Sequence, residues 1–527
     1  MNNDDPTAFA ASALLVNSTS ADVDMTFGMA KQYKISSFVL LFMLLVMVSI
    51  AISHVITRKL QIHFISECSV IIIVGLVAGG LCALDQSDVV AQWLVGYDPN
   101  VFFVGLLPPI IFNSGYTMQR RYFFENLSSI LVFAILGTFI STLLVGGFLY
   151  ILGSIGWSLD MPLAECLTFG ALISSTDPVS TLAIFDELNV DRKLFYIVFG
   201  ESVLNDAISI VLFNTFSKFI GVYDMQPHAV SYAILDFFGI CVGSILVGIL
   251  FGCLSAITFK YLTQTTLMHE VGLFILLAYM PFVVAEVLEL SGIVSILFAG
   301  MFMKHYTFNN LSSSAKDITS HVFHVAAFLC ELVVFLNLGL SFFNMEKELS
   351  VPFMIWALAA CLVARAAHVY PVSTCRNACI SRHEEHRRLT RNEQHMIWFS
   401  GLRGAIAFSL SLSFPQPFRE QVRAATMVVV VGTVLIMGSL TVKMLDILEI
   451  KRMPSKEDVD ESADTNGSRR HILLKWDALY IMPWLTHALA PSYNAVDLDS
   501  VHSTTPNSVG EGHPDLTVHE DSSHSRE

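Results

Sequence analysis

Long apolar windows, each close to the length of a membrane-spanning helix, occupy most of this chain. A helix needs about 20 predominantly apolar residues to cross the hydrocarbon core of a bilayer. Windows of this kind lie at 35–56, 68–84, 101–116, 128–152, 164–185, 195–220, 231–259, 268–289, 291–306, 321–343, 352–375, 396–414 and 422–447. The sequence therefore predicts an all-α polytopic membrane protein with about thirteen transmembrane helices.

Composition excludes the other broad classes of protein. Hydrophobic residues make up 54% of the chain and charged residues only 14%, against roughly 25% charged residues in soluble domains. The net charge of −15 argues against a nucleic-acid binder, because the phosphate backbone attracts basic proteins. No motif predicts a cofactor, and we expect a protein that is not an enzyme.

The charges of the connecting segments predict the orientation in the membrane. Basic residues follow the odd-numbered windows, and acidic or mixed segments follow the others; the basic residues are Arg58, Lys59, Arg120, Arg121, Arg192, Lys193, Lys260, Lys304, Arg376, Arg382, Arg387, Arg388 and Arg391. Since cytosolic loops are enriched in Lys and Arg, we expect a lumenal or external N-terminus and a cytosolic C-terminus. Asn17 is then the sequon with lumenal exposure and a candidate for glycosylation.

The chain divides into four predicted segments. These are a polar N-terminal segment at 1–34, a transmembrane domain at 35–447, a cytosolic juxtamembrane segment at 448–496, and a disordered acidic tail at 497–527. The central window at 231–259 permits two six-helix halves around it. Such halves, inserted in opposite orientations, form the inverted repeats of many transporters.

The sixth window carries a polar stripe. Glu201 and Asn205 are four residues apart, as are Ser202 and Asp206, so all four lie on one face of a helix. Ionisable groups within a membrane are costly and usually mark ion pathways. A carboxylate beside a hydroxyl and an amide predicts an oxygen site for a hard cation such as Na⁺ or K⁺ at Asp206; hydrogen bonding between helices is the alternative for Ser202 or Asn205 alone.

The fifth window predicts a broken helix. It contains Thr176, Asp177 and Pro178 in succession. Proline disfavours helix at the residue before it, whereas Asp and Pro together are good helix starters. The helix should therefore break near Thr176 and restart at Pro178, and backbone freed at membrane depth is tolerated where it lines a cavity. A simple proline kink is the alternative.

Two arginines also fall within windows and need partners. Arg403 lies in the twelfth window, where Glu201 is a natural partner. Arg365 and Glu331 form a second candidate ion pair. These groups are either structural ion pairs or transport groups, and the sequence does not distinguish the two.

Several segments, taken together, resemble the sodium/proton exchanger family of monovalent cation/proton antiporters. The similarity runs from about 36 to 447 in the family's order, and it is carried by VFFVGLLPPIIF, STDPV, FGESVLNDA and GLRGAIAFSLSL. The stretches SGIVSILFAGMFMKHYTFNNLS and KWDALYIMPWLT are similar to the endosomal, Golgi and vacuolar branch of eukaryotes.

The resemblance implies a fold and a set of roles. It implies a homodimer in which each protomer has a dimerisation domain (windows one to three and seven to ten) and a core domain (windows four to six and eleven to thirteen). Windows five and twelve would be unwound and cross, and the core would slide like an elevator. The implied roles are Asp206 as the cation/proton carboxylate, Asn205 as its neutral partner, Thr176 and Ser202 as further ligands, Asp177 as a stabiliser of the broken helices, Arg403 as the partner of Glu201, and Phe103, Leu107, Pro108 and Pro109 as cavity-lining residues linked to amiloride-type inhibitors.

The function expected on this basis is electroneutral Na⁺(K⁺)/H⁺ antiport across an internal membrane, which regulates organellar pH and cation content. Endosome, Golgi or vacuole is expected over the plasma membrane. Membrane lipid, Na⁺, K⁺, Li⁺ and H⁺, and a cytosolic regulator on the tail are the implied partners. An intramembrane aspartyl protease that uses Asp177 and Asp206 is one alternative, although no GxGD sequence lies on a window; a cation channel is another.

Overall fold

The computed structural model describes residues 36–37, 39–56, 66–84, 101–118, 120–177, 179–221, 227–262, 266–343, 350–380, 388–452 and 481–486. Some predictions concern residues outside this description, namely Pro178, Asn17, most of the segment 448–496, and the tail at 497–527. Predictions about them therefore stay predictions.

The described residues form helices. In chain order these are α1 (Val39–His54), α2 (Glu67–Leu84), α3 (Val101–Thr117), α4 (Arg120–Leu131, a π-helical turn at Val132–Gly137, and Thr138–Ile155), α5 (Leu163–Ser174), α6 (Val179–Glu187), α7 (Arg192–Ser217) and α8 (Pro227–Tyr261). They continue with α9 (Leu267–Val287), α10 (Gly292–Phe302, a π-helical turn at Met303–Thr307, and Phe308–Asn310), α11 (Ser313–Ser341), α12 (Val351–Cys379), α13 (Arg391–Phe399), α14 (Ala405–Leu412), α15 (Arg419–Thr433, a π-helical turn at Val434–Gly438, and Ser439–Ile447) and the short α16 (Met482–Leu485).

The helices confirm the predicted fold class. Each apolar window overlaps one helix, or the two halves of a broken helix. Eight helices in the described part of the chain are long and apolar enough to cross a membrane by length and composition. The number of crossings and the inverted repeat stay predictions.

The helices pack in two groups. In the first group α4 packs on α5, α7 and α12, and α12 and α14 pack on α15. In the second group α2 and α3 pack on α11, and α10 packs on α3, α8 and α9. We call these the α4–α7 group and the α2–α11 group.

Small residues allow a close helix contact in the second group. A Cβ atom added to Gly75 of α2 would lie 2.5 Å from the Leu336 carbonyl oxygen, and one added to Gly339 of α11 would lie 2.5 Å from that of Ile72. Helices in membranes gain little from the hydrophobic effect, so close backbone approach at small residues stabilises their contact.

The short break between the eighth and ninth windows is a helix hairpin. Glu289 has a positive φ of 56° after the end of α9. The Ser291 hydroxyl then accepts a hydrogen bond from the Val294 amide at 3.4 Å and caps α10. The chain therefore reverses within a few residues, and α9 packs beside α10.

Candidate ion-binding site

Two helix breaks meet in the α4–α7 group. The chain is not helical at 175–177, between α5 and α6, or at 400–404, between α13 and α14. The Asp177 amide donates a hydrogen bond to the Leu402 carbonyl at 2.8 Å, which joins one break to the other. The breaks predicted in windows five and twelve are thus present and cross at this contact.

Close approach at the crossing requires a glycine. A Cβ atom added to Gly404 would fall on the side chain of Asp177, well inside van der Waals contact. Gly404 has an extended backbone, with φ −135° and ψ −160°, which any residue can adopt. The constraint at this position is therefore steric, and it comes from Asp177.

The polar residues on one face of α7 form hydrogen bonds with the first of these breaks. The Ser202 hydroxyl donates to the Thr176 carbonyl at 2.6 Å. The Asn205 side-chain amide donates to the Thr176 hydroxyl at 2.6 Å, and the Thr176 amide donates to the Asn205 side-chain oxygen at 3.3 Å. These bonds occupy backbone groups that the break leaves without helical partners.

Asp206 lies beside this network and faces a cavity. Its side chain is 8% exposed, and its Oδ1 accepts a hydrogen bond from the Ser175 hydroxyl. The cavity has a volume of about 80 Å³, and its wall includes Ser175, Ser202 and Asp206. The Asp206 carboxylate and two hydroxyls therefore share a small space at the middle of α7, a donor set that suits a hard monovalent cation.

The cavity lies between the two helix groups. Residues of α6, α7 and α14 form one side, and residues of α3 and α11 form the other. Glu331 and Phe335 of α11 are on the wall, together with Asp177 of the first break.

Glu201 pairs with Arg365, and the predicted pairing with Arg403 is wrong. Both terminal nitrogens of Arg365 donate to the Glu201 carboxylate, with 3.1 Å between Nη2 and Oε2. Arg365 Nη2 also donates to the Ile397 carbonyl at 2.9 Å. The reason is local: a Cβ atom added to Gly401 would lie 2.6 Å from Arg365 Nε, so the glycine leaves room for this side chain.

His368 completes this buried ion pair. Its Nδ1 donates to the Ala364 carbonyl at 2.9 Å, because a carbonyl oxygen only accepts. Its Nε2 then accepts a hydrogen bond from Arg365 Nη1 at 3.2 Å. Arg365 is therefore held by α7, α12 and α13 at once.

Arg403 binds a helix end. Its Nη1 donates to the carbonyls of Ser174 at 2.8 Å and Ser175 at 3.3 Å, at the end of α5, and its side chain is 1% exposed. A cation at a helix C-terminus is favourable, since the last carbonyls lack helical partners and carry partial negative charge. Arg403 thus stabilises the first break.

The predicted pair between Glu331 and Arg365 is also wrong. Arg365 is bound to Glu201, whereas Glu331 lies on the cavity wall. The sequence placed both residues in windows but did not show which helix faces they occupy.

The cavity face of α3 differs in part from the prediction. Leu107 is on the wall, as predicted, but Phe103, Pro108 and Pro109 are not among its residues in the described structure. The face of α3 consists of Phe102, Leu107, Ile110, Ile111 and Ser114. The last four of these residues follow the spacing of one helix face, which excludes the two prolines.

Sequence reasoning missed two residues that contact the predicted site residues. Ser175 donates to Asp206, and its only signal was its place beside Thr176 in the break. His368 lies three residues after Arg365, one helical turn away, and this spacing was the signal for a contact between them.

The fold and the site define a helical membrane transporter with a carboxylate beside two crossed helix breaks. The family profile described as the transmembrane sodium/hydrogen exchanger matches residues 39–446. The chain belongs to the sodium/hydrogen exchanger family.

Curated relatives agree with this assignment, and a solved structure shares the fold. Sodium/hydrogen exchanger 8 of Mus musculus is 37% identical over 81% of this chain and 76% of its own length. Sodium/hydrogen exchanger 5 of Arabidopsis thaliana is 36% identical over 82% of this chain and 84% of its own, and sodium/hydrogen exchanger 9 of Mus musculus is 39% identical over 75% and 65%. The sodium proton antiporter MjNhaP1 of Methanocaldococcus jannaschii matches in fold, with a TM-score of 0.59 and 16% identity over 79% of this chain and 98% of its own.

Proposed function

We propose that this chain exchanges a monovalent cation, Na⁺ or K⁺, for H⁺ across a membrane. The observation that carries the proposal is the buried carboxylate of Asp206 at the crossing of two helix breaks, open to a cavity. A carboxylate binds either a cation or a proton, and this competition couples the two fluxes. The family assignment and the named activity of the relatives support the same function.

The ligands proposed for the cation are the Asp206 carboxylate and the Ser202 hydroxyl, with Thr176 and Asn205 as further groups. The Asn205 side-chain amide donates a hydrogen bond to the Thr176 hydroxyl. This bond holds the first helix break against α7, in addition to any contact with the cation. Ser175 is added to this set, because its hydroxyl bonds to the same carboxylate.

Transport would follow from movement of one helix group against the other. The α4–α7 group contains the site and corresponds to the implied core domain, whereas the α2–α11 group corresponds to the dimerisation domain. Their shared cavity supports an elevator mechanism, in which the core carries Asp206 from one face of the membrane to the other. The homodimer and the position of the C-terminus in the cytosol belong to the same proposal.

A protease or a channel is not supported. The family match covers the transmembrane region as a whole. In addition, the Asp177 side chain packs against Gly404 of the second break, and its amide bonds to Leu402, which fits a residue that stabilises the crossing.

The experiment that tests this proposal is counterflow by the purified full chain in proteoliposomes. A preset pH gradient should drive saturable uptake of Na⁺ or K⁺, with Li⁺ as a third cation for comparison. Conduction of cation without coupled proton movement would contradict antiport. An internal membrane such as endosome, Golgi or vacuole is the proposed location, to be tested by imaging of the tagged protein.

A further inference from the structure

A short piece of the tail lies against the α2–α11 group. The Leu485 side chain of α16 is 1% exposed and packs in a small apolar cluster with Ala256 of α8 and Tyr306 of α10. Cys253, Ile257 and Phe302 border this cluster.

Two polar side chains bind the backbone of the same segment. Lys260 Nζ donates to the Trp484 carbonyl at 2.8 Å, and the Asn310 side-chain amide donates to the Leu485 carbonyl at 2.8 Å. The last carbonyls of a helix lack partners within the helix, and a cation near them is favourable. The surface therefore recognises one apolar side chain followed by the end of a helical turn.

The surface is held together by bonds that do not involve the tail. Asn310 also donates to the Ala256 carbonyl at 2.9 Å, and the Thr307 hydroxyl donates to the Ser255 hydroxyl at 3.1 Å. These bonds join α8 to the last turns of α10. The binding surface is thus organised by the membrane domain.

We propose that Ala256, Lys260, Tyr306 and Asn310 form a tail receptor whose ligand is residues 481–486 of the same chain. Ile481 and Trp484 are 45% and 67% exposed, so the receptor reads the Leu485 side chain and the carbonyls of Trp484 and Leu485. A leucine anchor with two carbonyl contacts is the chemistry of a short peptide that binds reversibly in a groove.

The receptor holds residues 481–486 on the α2–α11 group, whereas the chain just after α15 contacts the α4–α7 group. The Asn392 side chain donates to the Leu448 carbonyl at 2.9 Å, and the Asp191 amide donates to the Lys451 carbonyl at 3.1 Å, both in the α4–α7 group. If the elevator proposal holds, a regulator bound to the tail is kept at the static half of the exchanger. The receptor itself does not depend on that proposal.

Disulfide trapping in the full chain tests the contact. Leu485→Cys places a thiol in the cluster that the native Cys253 borders, and a protease site inserted within 453–480 separates the tail after oxidation. We expect the tail to stay attached until it is reduced. Two control variants should release the tail without reduction. One is Trp484→Cys, at the exposed neighbour, and the other is the double variant Cys253→Ala/Leu485→Cys.

Release of the tail in Leu485→Cys, or equal retention in Trp484→Cys, would overturn the receptor. A disulfide that links two protomers would show that a second copy supplies the segment, which contradicts the intramolecular proposal.

Peptide binding gives a second measurement that needs no disulfide. The full-length Leu485→Asp variant should have a vacant receptor and bind a labelled peptide of residues 475–486, whereas the unaltered chain should not. Adding Lys260→Ala and Asn310→Ala should weaken peptide binding by about tenfold or more, since one charged and one neutral hydrogen bond are lost. Equal peptide binding by the unaltered chain and Leu485→Asp would refute the proposal, and neither measurement uses ion exchange.

Discussion

At the residue scale, we expect exchange to depend on the negative charge of Asp206. Asp206→Asn keeps the volume of the side chain but cannot bind a cation and a proton in turn. We expect exchange in proteoliposomes to be abolished while the thermal unfolding of the purified protein stays close to that of the parent. The matched control is Asp236→Asn, an exposed residue paired with Lys218, which should retain exchange. Normal exchange by Asp206→Asn would rule out the assignment.

The Glu201–Arg365 ion pair is expected to stabilise the protein. Arg365→Ala leaves Glu201 buried without its partner, and breaking such a pair costs roughly 3–5 kcal/mol of unfolding free energy. A double-mutant cycle with Glu201→Gln measures the coupling directly. The cycle with Arg365 should show strong coupling, and the cycle with Arg403→Ala should show much weaker coupling. The reverse order would contradict the pairing.

Glu331 is expected to raise the local concentration of cations at the site. Its carboxylate is on the cavity wall, opposite Asp206 on α7, and a negative charge in a narrow cavity attracts cations. Glu331→Gln should therefore raise the KM for the cation and change the maximal rate much less. An unchanged KM with a strongly reduced maximal rate would instead assign Glu331 to the carriage of ions.

The shared helix face of the polar residues on α7 was predictable from the sequence, but the partners of the charged residues were not. Spacing on α7 places Glu201, Ser202, Asn205 and Asp206 on one face, because helix geometry is local. Which arginine meets Glu201 depends on the space left by Gly401, and that depends on how α12 packs on the second break. Long-range packing of this kind leaves no pattern in a single sequence.

At the scale of helices, the crossing of the two breaks should tolerate no side chain at Gly404. Gly404→Ala would press a Cβ atom into Asp177, which should separate the breaks and lower both exchange and thermal stability. The control is Gly432→Ala in α15, where an added Cβ atom meets nothing within 4 Å; helix propensity there favours alanine. If both variants behaved alike, the steric account of the crossing would fail.

Helix positions were predictable because membrane burial demands a long apolar run, a property of each segment alone. The break before α6 was predictable from Asp177 and Pro178. The π-helical turns at Val132–Gly137, Met303–Thr307 and Val434–Gly438 were not, since a wider helical turn has no distinctive composition.

At the scale of the whole molecule, the two helix groups are the feature that a single sequence could only suggest through family resemblance. Their division puts the candidate ion-binding residues on one group and the proposed tail receptor on the other. The structure also brings together the segments that follow windows five, eleven and thirteen: Lys193 Nζ lies 2.7 Å from Glu393 Oε1, and the Asn392 side chain donates to the Leu448 carbonyl. A shared face at these positions agrees with the alternation of basic loops along the sequence.

The measurement that tests the central claim most directly is the charge balance of exchange. In the proposed mechanism, Asn205 lies beside a single exchanging carboxylate and the core carries Asp206 with either Na⁺ or H⁺, so both loaded forms have the same net charge. A potential of about 100 mV contributes roughly 2.3 kcal/mol per charge moved, enough to shift an electrogenic equilibrium more than tenfold. The Na⁺ gradient that balances a fixed pH gradient should be measured in proteoliposomes with the potential clamped at zero and then at about 100 mV. We predict the same balance point at both potentials; a shift of tenfold or more would contradict one-for-one exchange at Asp206.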